Sequence, residues 1–541
     1  MASEDHPPVR PDEELFAESF LIEWEMLDWV TLSSSAARAK FSALAAATNA
    51  NSDWGDGILV RRVDMTEIHV TASLSRLPKS RKGEILADLS LPCRWTRALK
   101  VPTVHPELSV SGWFATMRQI EPAKTLAGEV SCDHLVVGGG WMGLHCARRL
   151  AELDPDSSVV LVDAGRIGNN AAGRCAGFAI DLAHNPRNPH FAEDITGNTE
   201  EYDINQDGLG YIRSSVEELG IDCDWSPEGK YHSAASENGA ENLLMFAQAL
   251  DNLGQRYSWV SKEEIQAITG SRHYITALFA PGTILLQPAK YMYWAARRMP
   301  SNCSVFEETP VTEVNYDAGR PDSRHTCLTP RGSIKAKKIY LCNTGYMTKF
   351  GFFDGTAIPL YTFASLTRPL TDSESKVLGA RATFGVIPAD SFGTTLRRTA
   401  DNRLFLRNVY SYARDFKASR SDLERAKRTH QIAFERRYPE LAPMGYEHSW
   451  GGMMTLAQNN GMIFGELGKN VFGTGFCNGT GVSRGTAFGK ALAEFSLGKS
   501  SRTIDILRKR PSPNKGYPSI ITELGVRLTT SYRLKKAGIE V

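Results

Sequence analysis

The stretch HLVVGGGWMGLHCARRLAELDPDSSVVLVDAG, residues 134–165, decides the fold. A short apolar strand (Leu135, Val136, Val137) runs into Gly138, Gly140 and Gly143 in G-x-G-x-x-G spacing. A helix follows, then the all-apolar strand Val159 to Val162, closed by Asp163. This order is the first βαβ unit of a Rossmann-type sheet. Gly138 permits the tight turn, Gly140 lets a pyrophosphate approach the backbone, and Gly143 lets helix and strand pack closely. The free N–H groups and the positive end of the helix starting near Trp141 then face phosphate, worth about 0.3 to 1 kcal/mol beyond the hydrogen bonds. Asp163 stands about 20 residues past the glycines, where an acid accepts from ribose hydroxyls. A glycine turn alone is weak evidence. Strand, glycines, helix, second strand and terminal acid together point to a dinucleotide, although an acid at a strand end also serves as a turn cap.

Working outward, 541 residues suffice for two or more domains with their own cores. An apolar content of 42% with 23% charged residues describes an ordinary globular chain. A net charge of +1 argues against a dedicated nucleic-acid binder, and the run KSRK at 79–82 reads as a solvated loop. Nine cysteines, scattered and without a C-x-x-C pair, read as reduced thiols in a cytoplasmic protein. The first dozen residues lack the apolar core of a signal peptide. No stretch reaches the roughly 18 apolar residues of a membrane span, and no metal-ligand spacing is present.

Ahead of the nucleotide unit, residues 13–30 carry apolar side chains near a helical period, 33–50 are again helix-like, and 66–74 alternate as a strand does. No catalytic pattern precedes residue 110. After the unit comes RIGNNAAGRCAGF, 166–178, dense enough in small residues for backbone to lie against a flat ligand. Pro288 marks a first helical turn. FEETPVTEV (306–314) reads as one strand, GSIKAKKIYLCNTG (332–345) as a strand pair, FGTTLRRTADNRLFLRNV as a hairpin turning at Asp401 and Asn402, and 421–437 as a charged surface helix. Near the end, NVFGTGFCNGTGVSRGTAFGKALAEFSLG (470–498) sends a strand into a second glycine loop and an alanine-rich helix. Two such junctions suit a dinucleotide with a long flavin head, its pyrophosphate at the first and its isoalloxazine edge at the second.

From SGWFATM at 111, through AAGRCAGF, to HSWGGMM at 448 and GTGFCNGTGV at 473, the chain resembles the D-amino-acid oxidase superfamily of FAD amine oxidoreductases. The likeness is greatest to the gamma-glutamylputrescine oxidase branch, with glycine oxidase and sarcosine oxidase as cousins, and covers roughly 111–541. It implies that Gly138, Gly140 and Gly143 hold the FAD pyrophosphate and Asp163 the ribose. The loop Ala172, Gly173, Arg174, Cys175, Ala176, Gly177 resembles the branch's ASGRNGG element beside the flavin. Val311 to Val314 would meet the adenine side, Thr344, Gly345 and Tyr346 match the NAY turn, and Gly479, Thr480, Gly481 and Val482 match the GHGV loop under the pyrimidine edge. Three departures stand out: Asp163 replaces a glutamate, Ala172 and Cys175 replace serine and asparagine, and Thr480 replaces histidine.

The implied fold is α/β: a Rossmann-type FAD domain (111–205, 285–350 and 445–541 with the C-terminal tail) interleaved with a mostly antiparallel substrate domain (206–284 and 351–444), after an N-terminal extension at 1–110. The implied reaction moves hydride from an amine-bearing carbon to flavin N5, followed by imine hydrolysis, and needs no strong protein base if the amine binds neutral. Its substrate would be an N-substituted amino acid or secondary amine, opine-like conjugates included. A substrate carboxylate wants an arginine fork; Arg397 and Arg403 share one face of the hairpin, with Arg398 on the other. His448 and Trp450 either line the flavin or belong to the core. Cys175 and Cys477 lie in the two flavin loops, with small buried thiols as the default reading and covalent linkage as the alternative. Two alternatives keep the fold: a dehydrogenase passing electrons to a quinone or protein instead of oxygen, and an assembly component with structural FAD. A nicotinamide-only enzyme would leave the second glycine loop without a role.

Overall fold

Leu135 to Val137 and all of Val159–Val162 are buried, as a strand covered on both faces requires. These strands lie at the centre of a nine-stranded sheet. Its parallel heart runs Cys303–Phe306, Val159–Val162, Gly128–Val137, Gly332–Leu341, Val471–Gly475. The structure, a computed structural model, describes residues 98–102, 107–183, 192–317 and 323–541. The expectations placed on 13–30, 33–50, 66–74 and 79–82 lie outside them.

Two readings of strands are corrected. GSIKAKKIYL is one ten-residue strand, Gly332–Leu341. Its charged middle does not break it, because Lys335 meets Glu129 at 2.9 Å and Lys337 meets Asp133 at 2.7 Å across the neighbouring strand. FEETPVTEV is two pieces, the end of Cys303–Phe306 and the start of Glu313–Asn315. Between them Glu308 has φ +48° and Pro310 has no N–H to give a ladder.

The second sheet has eight strands, in the order His448–Ala457, Ala357–Leu366, Leu404–Tyr412, Thr395–Arg398, Phe384–Pro388, Lys230–Ala234, Thr276–Ala280, Ser258–Val260. All neighbours are antiparallel except Phe384–Pro388 with Lys230–Ala234. The strand His448–Ala457, grouped by sequence with the nucleotide-binding end, pairs along its length with Ala357–Leu366 in this sheet. The hairpin turns at Asn402, which takes φ +60°. The charged helix is Arg420–Arg437, and it buries Leu423, Ala426, Ala433 and Phe434.

Three helices bind the two glycine loops together. Trp141–Leu153 follows the first loop and Val482–Ser496 the second, and Ile195–Leu219 packs on the latter. A Cβ at Gly489 would overlap the carbonyl of Met142, and one at Gly208 that of Ser483. Glycine is what lets these backbones touch. Among the described residues, no helix is long and apolar enough to cross a membrane.

Candidate active site

The structure brings the first glycine turn against Cys342, Asn343 and Ala172. Gly138 takes φ +106° and its Cα lies against Cys342 and Asn343, a Cβ there coming within 2.9 Å of the Cys342 carbonyl. A Cβ at Gly143 would overlap the Gly138 carbonyl, so helix and turn pack without a side chain between them. Gly140 is different: a Cβ there would meet only Ala172, at 3.8 Å. Gly140 caps the helix Trp141–Leu153 with no side-chain hydrogen bond, and Gly481 caps Val482–Ser496 likewise. Two helix N-termini therefore face the cradle with unclaimed N–H groups. Thr480 and Val482, on either side of Gly481, are buried.

Asp163 faces the glycine turn. Its carboxylate accepts from the N–H groups of Gly139 (2.7 Å) and Gly165 (2.8 Å) and from Asn170 Nδ2 (3.2 Å). Burial pushes its carboxyl above the ordinary range against the pull of those donors. Asn170 Oδ1, Asn343 Oδ1 and Thr455 Oγ1 are buried and have no hydrogen-bond partner. Asn343 touches Gly138, Asn170 Nδ2 donates to the Gly139 carbonyl, and Thr455 lies against Gly345. Unanswered acceptors beside Gly138, Gly139 and Gly345 fit a ligand that brings hydrogen-bond donors. The sequence reading missed these three residues; Asn343, two residues past the strand Gly332–Leu341 beside Gly138, carried the one available signal. Val311 is buried in the loop that leads to Glu313–Asn315.

The loop 172–177 is held from its far side. Arg174, fully buried at its side chain, donates to the carbonyls of Asn169 (2.8 Å), Gly451 (2.9 Å) and Ser109. Trp113 Nε1 donates to Cys175 O at 2.9 Å, Trp450 Nε1 to Arg174 O at 3.1 Å, and Arg397 to the carbonyls of Ala176, Gly177 and Leu286. Gly177 takes φ +72°, and a Cβ on it would strike Leu286 O. Gly173 is pressed on Gly168 in the same way. Burial raises the Cys175 thiol to about 11 and also raises Cys477, so neither is a thiolate at neutral pH.

The four substrate candidates separate. Trp450 is wholly buried among Trp113 and Phe405. Half-buried His448 lies 3.7 Å from Glu447, and burial lowers its pKa. Arg403 is already engaged by Asp401 at 2.9 Å, by Glu447 and by the Thr367 carbonyl. Arg397 has no carboxylate partner and its Nε is buried without an acceptor. Burial lowers its pKa to about 10. It lines a cavity of about 190 Å³ with Trp113, Trp225, Gln287 and Thr399. Trp113, Asp224 and Gln287 also line a larger hollow of about 580 Å³, which Lys290, Arg298 and Arg403 border.

The family model for FAD dependent oxidoreductases matches residues 133–495. The chain belongs to the FAD dependent oxidoreductase family. FAD is its cofactor, and the match spans both glycine loops and the second sheet between them. A probable oxidoreductase OrdL of Haemophilus influenzae is 22% identical over 77% of this chain and 93% of its own length. The gamma-glutamylputrescine oxidoreductase of Escherichia coli is 24% identical over 73% and 91%. Among solved structures, glycine oxidase from Geobacillus kaustophilus aligns with a TM-score of 0.55 at 18% identity, covering 69% of this chain and 96% of that one. L-amino acid deaminase from Proteus myxofaciens aligns at 0.56 and 14%, covering 75% and 95%. These two likenesses show the fold.

Proposed function

We propose that this oxidoreductase oxidises the C–N bond of an N-substituted amino acid or secondary amine, opine-like conjugates included. The curated relative named for gamma-glutamylputrescine supports an amine substrate. Bound FAD supplies a hydride acceptor for the carbon beside nitrogen, and water hydrolyses the imine that leaves. The chain's own work is binding, orientation and exclusion of water. The N–H groups beyond Gly140 and Gly143 take the pyrophosphate, and Asp163 with Asn170 serves the ribose side. Val311 borders the adenine. Gly173, Arg174, Cys175, Ala176 and Gly177 lie beside the ring system, with Gly345 near by. The helix start at Gly479, Thr480, Gly481 and Val482 stabilises negative charge at the pyrimidine edge. The eight free cysteines among the described residues support a reducing compartment, the cytoplasm.

One observation carries the substrate class: Arg397 is a buried cation with a free Nε and no carboxylate partner, at the wall of a cavity behind the 176–177 backbone. A substrate carboxylate satisfies it, so an amino-acid-derived amine fits better than a plain one. Arg403, saturated by two acids, does not offer this. Because Arg397 stays protonated through neutrality, it should add no pH dependence of its own to KM there, and the pH dependence of KM should follow the substrate amine. The decisive experiment is anaerobic: the flavin spectrum is followed while N-methyl amino acids, gamma-glutamyl amines, opines and carboxylate-free amines are added. Bleaching by a carboxylate-bearing amine, with KM raised roughly a hundredfold in Arg397→Met (about 2.7 kcal/mol), supports the proposal. Bleaching only by carboxylate-free amines, or none at all, overturns it. Peroxide release in aerobic turnover then tells oxygen from a quinone or protein acceptor.

A further inference from the structure

The cavity at Arg397 and the larger hollow share a wall, since Trp113, Asp224 and Gln287 line both. The hollow, about 580 Å³, lies in the range of about 300 to 1,000 Å³ that encloses whole small ligands. A methyl group on the substrate nitrogen would leave it unfilled. The helix Pro288–Arg297 runs along it. Its N-cap, Gln287, belongs to both spaces, and Lys290, Trp294 and the C-cap Arg298 follow at four-residue intervals, hence on one face, all in the wall of the hollow.

Charge changes along this face. At the inner turn Lys290 Nζ meets Asp224 at 2.5 Å. Burial works against the Lys290 ammonium, yet Asp224, Asp222 and Asp401, the three acids of the wall, together raise its pKa. Arg403 is held by Asp401 and Glu447. At the outer turn the cations are unanswered. Arg298, half-buried, lies over Trp294 with its guanidinium carbon 5.0 Å from the ring centroid, and its Nη1 donates to the Gly220 carbonyl at 3.4 Å. Neither Arg298 nor the exposed Arg118, in the same wall, meets a carboxylate among the described residues. A guanidinium laid on an indole and short of an acid is shaped for a planar anion such as carboxylate. Trp294 stands seven residues past Gln287, about 10 Å along the helix axis at about 1.5 Å per residue. A substrate anchored at Arg397 therefore reaches Arg298 only through an arm of several carbons.

We propose that the substrate is a dianionic secondary amine, with one carboxylate on Arg397 and a second, at the end of a long arm on nitrogen, on Arg298. This deepens the role given to Arg397 above and rests on it.

N-(4-carboxybutyl)glycine and N-pentylglycine share the first carboxylate and the length of the arm and differ in its end. Each is added anaerobically to the full-length, FAD-loaded enzyme, and the rate of flavin bleaching against concentration gives an apparent second-order constant. Expected is a preference of roughly tenfold or more for the carboxylate-ended arm. It should fall to near one in Arg298→Gln and survive in part in Arg298→Lys, while Arg298→Glu should favour N-(5-aminopentyl)glycine instead. Each figure is a ratio of two compounds on one protein, so a lower yield of folded variant cancels. Equal constants in the parent, faster bleaching by N-pentylglycine, or a preference that Arg298→Gln leaves intact overturns this proposal while the role of Arg397 stands. Bleaching by neither compound overturns both.

Discussion

The two glycine loops look alike in sequence and differ in what makes glycine necessary. In the first, two of the three motif glycines answer to the protein itself: Gly138 sits at φ +106° against Cys342, and Gly143 lies on the Gly138 carbonyl. In the second, Gly479 takes φ +96°, but Gly481 has ordinary negative φ and open space where a Cβ would go. Gly140 belongs with Gly481 in this respect, meeting only Ala172. A glycine with neither a backbone nor a packing reason leaves room for something that is not protein. The two kinds of glycine therefore separate those that the fold itself requires from those that it does not.

The comparison breaks most visibly at Gly143. Gly143→Ala forces a methyl group into the Gly138 carbonyl, so the variant should yield no folded, yellow protein; a normal flavin spectrum from it would remove the packing account. Gly489→Ala, whose methyl would meet the Met142 carbonyl, should separate the two loop helices. A loss of about 2 °C in Tm, consistent with about 2 kcal/mol for a chain of this size, is expected together with weaker FAD retention. Gly481→Ala should leave Tm within a degree or two and weaken FAD roughly tenfold, about 1.4 kcal/mol. An unchanged dissociation constant on flavin titration would mean that the open space there is not used.

The smallest effect concerns the join between the loops. His145 donates Nδ1–H to the Trp141 carbonyl at 2.6 Å, accepts from Tyr291 Oη at 2.8 Å, and lies 3.4 Å from Thr486 on the second loop's helix. Burial holds it down to about 4. The unfolded chain takes up this proton near pH 6.5 while the folded one refuses it, so stability falls as pH drops from 6.5 toward 4. Between pH 7 and 5 the contribution is roughly 2 kcal/mol. His145→Gln should lessen that fall of the urea midpoint, the remainder coming from His273 and His430, and parallel curves would remove His145 as a contributor.

The first βαβ unit was legible because its apolar runs, glycine spacing and terminal acid constrain one another. The hairpin at Asn402 and the helix Arg420–Arg437 were legible for similarly local reasons, turn chemistry in one and an apolar stripe in the other. The strand Gly332–Leu341 was not, since the acids that accommodate its lysines come from a segment two hundred residues earlier in the chain. Likewise Asn170, Asn343 and Thr455 look like ordinary loop and strand residues until the fold buries each and leaves its oxygen unanswered. Arg397 and Arg403 were indistinguishable in sequence. Glu447 and Asp401 separate them, and only the folded hairpin shows which arginine those acids occupy.

The backbone contact between the helices Trp141–Leu153 and Val482–Ser496 also sets a timetable. On a ribosome, the first loop emerges some 340 residues before the glycines that complete its cradle, and at about 5 to 20 residues per second that interval lasts roughly 20 to 70 seconds. Throughout it, the helix Trp141–Leu153 lacks the backbone contact with Val482–Ser496, and the nascent sheet lacks the strand Val471–Gly475. The cradle is therefore complete only in the last stage of synthesis.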